Sequence, residues 1–149
     1  MTDYGTLTAS ETRDLRALCA IMIPASATYG VPGADDDRIF ADILRSLERD
    51  TPDARTALAL LARLAGGSFA DLTPARRNEV AAVFKQEGGA PLLALNRVVL
   101  LCYYRDDRVM RSLGQEPRPP FPQGHVVEQG DWSLLDPVRA RAPFYRRVP

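Results

Sequence analysis

Two segments of this sequence carry the same punctuation, and that repeated pattern most limits the fold. TPDARTALALLARLAGG opens on Thr51-Pro52 and closes on Gly66-Gly67; LTPARRNEVAAVFKQEGG opens on Thr73-Pro74 and closes on Gly88-Gly89. A threonine before a helix accepts a bond from an unpaired backbone N–H. Proline fits the first turn, where the N–H it lacks would have no partner, and glycine ends a helix in left-handed backbone. The spacing predicts a third helix capped by Thr51 and closed by Gly66. It predicts a fourth capped by Thr73 and stopped at Gly88, with Val80, Val83 and Phe84 as its apolar face.

The flanking segments follow the same period. In LTASETRDLRALCAIMIP, Thr8 and Glu11 make a capping box, Leu15, Leu18, Cys19 and Met22 recur at helical spacing, and Pro24 ends the helix near Ile23. PASATYGVPGA is a loop by its Pro, Gly and Ser content. DDDRIFADILRSLERD gives a second helix with Ile39, Phe40, Ile43, Leu44 and Leu47 on one face. Its aspartates Asp35, Asp36 and Asp37 suit a helix start, and three successive side chains there cannot converge on one metal ion. PLLALNRVVLLCYY is apolar nearly all round, which predicts a central helix surrounded by the others, with Asn96 and Arg97 seeking partners or solvent. Asp106 can cap a short sixth helix, DRVMRSL, ended by Gly114. The expected fold class is all-α: a small bundle of about five to six helices with a long irregular Pro-rich C-terminal tail. The expected division is a helical domain over residues 1–114 and an extended tail over 115–149.

That tail holds seven of the twelve prolines, the only Trp and the only His. Prolines recur too often for a long helix. Phe121, Trp132, Leu134, Leu135, Phe144 and Tyr145 make it too apolar for free solvation, so it needs a surface to lie on, its own domain or another chain.

Composition narrows the function. A chain of 149 residues with nineteen basic and nineteen acidic side chains has no charge excess to favour nucleic acid or anionic lipid. Helices three and four mimic a helix-turn-helix, with Arg76 and Arg77 opening the second, but GGSFADLTP is long for that turn. Eighteen of the basic residues are arginines and one is Lys85; guanidinium groups grip carboxylates in two-pronged fashion, which suits protein contacts. No apolar run reaches the roughly 18–20 residues of a bilayer span, and the N-terminus shows no signal-peptide pattern. The expected location is the cytoplasm, or the periplasm if a leader was removed or the partner supplies it. Cys19 and Cys102 sit in apolar helical stretches; they read as two buried thiols, or as a disulfide between the first and fifth helices in an exported protein. His125 is alone in a polar loop, so a nucleophile–histidine pair has one candidate base and no activated partner. Metal sites of His and Cys lack ligands, and no nucleotide-binding loop is present. The chain is not expected to be an enzyme on its own.

The order LTASETRDLRALCAIMIP, VPGA, FADLTPARR, YYRDDRVMRSLG and PPFPQG resembles the gluconate 2-dehydrogenase subunit 3 family, over roughly Leu7 to Gly124. These are small helical gamma subunits of FAD-dependent sugar and alcohol dehydrogenases. The resemblance implies a noncatalytic subunit that binds no cofactor itself. It would stabilise or mature a large catalytic subunit of the glucose-methanol-choline oxidoreductase type, which holds FAD and oxidises a sugar or alcohol hydroxyl. Many members carry a twin-arginine export signal; MTDYGTLTASE shows none, which leaves stabilisation as the implied role.

The expected assembly is therefore a hetero-oligomer. The expected partner interface comprises Tyr104, Arg105, Pro119, Pro120, Phe121, Trp132, Leu135, Phe144 and Tyr145, since aromatic and arginine side chains anchor interfaces. Tyr103 is expected to be core with its hydroxyl bonded. The alternatives are a free-standing helical enzyme or ligand-binding protein, and a self-associating scaffold.

Overall fold

The computed structural model describes residues 5–142. Helix α1 spans Ala9–Met22, α2 Asp37–Ser46, α3 Thr51–Ala65, α4 Pro74–Glu87, α5 Gly89–Tyr104, α6 Asp107–Ser112 and α7 Asp136–Arg139. Three short 3-10 turns lie at Glu48–Asp50, Phe69–Asp71 and Trp132–Leu135. Among the described residues there is no strand, only an isolated antiparallel bridge between Ser26 and Val31. The chain is all-α. It divides into two compact units, Met1–Pro117 and Arg118–Pro149, so residues 115–117 go with the first.

Local chemistry sets most of the helix ends. Thr8 and Glu11 form the reciprocal capping box: Thr8 Oγ1 accepts from the Glu11 N–H at 3.2 Å and Glu11 Oε2 accepts from the Thr8 N–H at 2.7 Å. Of the three aspartates, Asp36 is the cap of α2, accepting from the Arg38 and Ile39 N–H groups. Thr73 and Asp106 cap α4 and α6 as expected, and Gly66 closes α3 in left-handed backbone (φ 72°).

Four expectations are corrected. Thr51 does not cap α3: the 48–50 turn runs straight into the helix, so Thr51 already has helical backbone and is buried inside its first turn. Gly88 is no left-handed stop. It keeps right-handed backbone, and α5 starts at once at Gly89, so α4 and α5 meet at a one-residue corner. Val83 is exposed, leaving Val80 and Phe84 as the buried residues of α4. Finally, α5 is not encased. Helix α3 is the hub, packing on α1, α4, α5 and two of the turns, whereas α5 packs on α3, α2 and α6.

The core of the first unit runs from Leu15, Leu18 and Cys19 of α1 through Ile39 and Ile43 of α2 and Leu58 and Leu61 of α3 to Leu95, Val99 and Cys102 of α5. Buried polar groups are used as ties. Asp14 of α1 accepts from Ser68 Oγ at 2.7 Å and from the Ala70 N–H at 2.9 Å. Both bonds fall on Oδ1 and fix the 69–71 turn, whose Phe69 is fully buried. Arg16 lies 5.4 Å from the Phe40 ring centroid and pairs with Asp37, joining α1 to α2.

Candidate functional site

The residues of YYRDDRVMRSLG turn out to be architectural at one end and exposed at the other. Tyr103 is buried, and its hydroxyl donates to the Pro32 carbonyl at 3.2 Å, pinning the VPGA loop to the end of α5. Burial pushes its phenol pKa up. Arg108 grips two helix caps at once. It donates to both Asp36 oxygens (2.7 and 3.1 Å) and to both Asp106 oxygens (2.9 and 3.1 Å). The guanidinium holds both carboxyls below the ordinary carboxylate range, and their charges hold its own pKa above the ordinary arginine value. Arg105 turns back to α2, donating to Asp42 Oδ2 and Ser46 Oγ at 2.6 Å each. That bond lowers the Asp42 pKa.

VPGA packs just as tightly: a Cβ on Gly33 would meet the Asp35 carboxylate, the Ala25 nitrogen at 2.9 Å and the Ile23 oxygen at 3.1 Å. The loop, the α2 cap and the α6 cap thus form one cross-linked corner. Its polar side chains are spent on one another.

Tyr104 points the other way. Its ring meets Tyr103 edge-on, with centroids 5.3 Å apart, and is 53% exposed. It belongs to a stripe along α5 with Leu93 (69% exposed), Leu100 (44%) and Leu101 (55%). With Arg97 these positions follow the order i, i+4, i+7, i+8, i+11, one face of a helix. The opposite face carries Leu92, Leu95, Val98, Val99, Cys102 and Tyr103, all buried. An apolar stripe of this length on a surface marks a contact site more often than scattered exposed leucines do.

The stripe runs into a groove of about 480 Å³ lined by Leu18, Ile21 and Met22 of α1, Ala81, Phe84 and Lys85 of α4, and Leu92, Asn96 and Leu100 of α5. Asn96 and Leu100 also line the shallow stripe, so groove and stripe are continuous. The Asn96 amide makes no side-chain hydrogen bond among the described residues. Arg97 is tied at its inner edge to Asp50, whose oxygens lie 2.7 and 2.8 Å from its Nη2.

Sequence reasoning placed Tyr104 on an interface but put Leu93, Leu100 and Leu101 in the core. The available signal was Arg97 at the centre of the stripe, which marks the side of α5 facing water. In the second unit Pro119, Pro120, Phe121, Trp132 and Leu135 are exposed. Trp132 and Leu135 share a turn capped by Asp131, which accepts from the Ser133 N–H at 3.0 Å and its hydroxyl at 2.6 Å. Those bonds lower the Asp131 pKa. Phe144 and Tyr145 lie outside the described residues.

His125 is exposed in the second unit. Both cysteines are free and buried; burial pushes the Cys19 thiol up to about 12 and raises that of Cys102. Among the described residues no group of three His, Cys, Asp or Glu side chains could hold a metal ion, and no helix is long and apolar enough to cross a membrane. No protein-family profile, curated protein or solved structure matches this chain.

Proposed function

We propose that this chain is a noncatalytic small subunit that stabilises or matures a large FAD-dependent oxidoreductase of the glucose-methanol-choline type, one that oxidises a sugar or alcohol hydroxyl. The observation that carries the reading is the outward face of α5. The most apolar helix in the chain leaves three leucines and a tyrosine at least 44% exposed. Leaving them in water forgoes burial free energy of roughly 25 cal/mol per Å² of apolar surface, which a covering chain recovers. The motif resemblance supplies the kind of partner. It is supported by the way VPGA and YYRDDRVMRSLG close on each other as one corner that positions α5. The exposed Phe121, Trp132 and Leu135 of the second unit offer further anchors to the same partner.

Co-expression with the large flavoprotein of the same gene neighbourhood tests the proposal. The expected result is a co-purifying complex whose large subunit loses solubility and bound flavin when this chain is omitted. A large subunit that is soluble, flavin-loaded and active alone refutes it.

A further inference from the structure

The groove and stripe together carry two cations, Lys85 and Arg97, and no carboxylate among their lining residues. Lys85 forms no ion pair among the described residues, and the Arg97 side chain stays 54% exposed while its partner Asp50 is 15% exposed. A chain of zero net charge thus presents one apolar face whose lining charges are Lys85, unpaired among the described residues, and the outer side of Arg97. From Leu93 to Tyr104 the stripe is about 17 Å long at 1.5 Å rise per residue, the length of roughly three helical turns. Asn96 sits where groove and stripe join, an amide that a covering chain must satisfy and an apolar coat would leave unpaired.

We infer that this face receives an acidic amphipathic helix of a different polypeptide, with apolar anchors at i, i+3/i+4 and i+7 lying along Leu93, Leu100, Leu101 and Tyr104 and carboxylates facing Lys85 and Arg97. The inference rests on the accessory-subunit reading and names the element of the large subunit that docks. Helix-in-groove contacts use that spacing, and complementary charge sets register and excludes wrong partners. A second copy of this chain fits poorly: a two-fold interface sets the same patch of each copy against the other, and the lining offers no carboxylate to meet Lys85.

The test uses the full chain with three exposed-site variants, Leu93→Gln, Leu101→Gln and Lys85→Glu, each checked by circular dichroism for an unchanged melt. Affinity is measured for the co-expressed large flavoprotein. It is also measured by fluorescence anisotropy for two 18-residue helical peptides with one leucine face, one flanked by glutamates and the other by lysines. The expected result is roughly tenfold tighter binding of the glutamate peptide, lost in both glutamine variants and reversed in preference by Lys85→Glu, with parallel weakening of the flavoprotein complex. Equal or tighter binding of the lysine peptide overturns the inference, as does a homodimer that Leu101→Gln dissolves. A flavoprotein complex unaffected by all three variants overturns this docking face and leaves the accessory role standing. Charge-selective peptide binding in a chain that no flavoprotein requires does the reverse.

Discussion

Leu95 and Leu101 lie less than two turns apart on α5, and truncating each to alanine separates a two-faced helix from an encased one. Leu95 has 0% of its surface exposed, and Leu101 has 55%. A fully buried leucine truncated to alanine loses its transfer free energy and leaves a cavity, about 3 kcal/mol within a range of roughly 2–5. Leu101→Ala opens no cavity, because its far side is already water. Only the buried part of the side chain is lost, about 1 kcal/mol at most when full burial of a leucine is worth roughly 2–3 kcal/mol. For a folding unit of this size about 1 kcal/mol moves Tm by roughly 4 °C. Leu95→Ala is therefore expected to lower Tm by about 12 °C and Leu101→Ala by no more than about 4 °C. Urea unfolding followed by far-ultraviolet circular dichroism gives the same comparison in free energy, provided the m-value is unchanged. Equal losses at the two positions would refute the assignment of the stripe to the surface, and with it the docking face.

Asp106→Asn keeps an N-cap but removes the charge that Arg108 grips. The Asp36 and Asp106 pKa values are depressed in the fold, so their contribution is complete above the ordinary carboxylate value of about 4 and drains away as pH falls below it. Unfolding midpoints from pH 6 to pH 3 are expected to fall less steeply in Asp106→Asn than in the parent, and an identical slope refutes the linkage. Thr8→Ala removes one half of the capping box and is expected to destabilise by about 1 kcal/mol in denaturant melts, with Thr8→Ser close to neutral. Gly33→Ala forces a Cβ against the Ala25 and Ile23 backbone and is expected to destabilise by roughly 1–3 kcal/mol; a silent variant would show that the loop is not packed as described. Cys19 and Cys102, both nearly inaccessible and with raised pKa, are expected to resist a thiol reagent at pH 8 until denaturant is added.

The helix inventory was legible in the residues because capping and breaking are local. Thr8 with Glu11, Asp36, Thr73-Pro74, Gly66 and Asp106 each act within four positions of the helix end they set, so short spacing carries the information. The misread ends have the same cause in reverse. Thr51 looked like a cap until the preceding turn joined α3, and Gly88 looked like a stop until α5 began at the next residue. Tyr103, read as core, is buried, and Tyr104, expected on an interface, is 53% exposed: successive helical residues point about 100° apart, and the end of α5 turns only the first ring inward.

The candidate site was only half visible. Periodicity tells which residues share a face, but it is silent where every face is apolar, and α5 is such a helix. Arg97 alone marks its water-facing side in the sequence; the leucines around it were sorted by the positions of α2, α3 and α6, which cover one flank and leave the other open. The same holds for charge. The sequence determined that acids and bases balance over the chain, since counting needs no geometry. Folding decided that Asp36, Asp42 and Asp106 are consumed by Arg105 and Arg108 at one corner, while Lys85 lines an apolar face without an ion pair among the described residues and Arg97, tied to Asp50 on its inner side, lines it beside Lys85. Local bonding wrote the helices into the chain, and long-range packing chose which apolar surface is left for a partner.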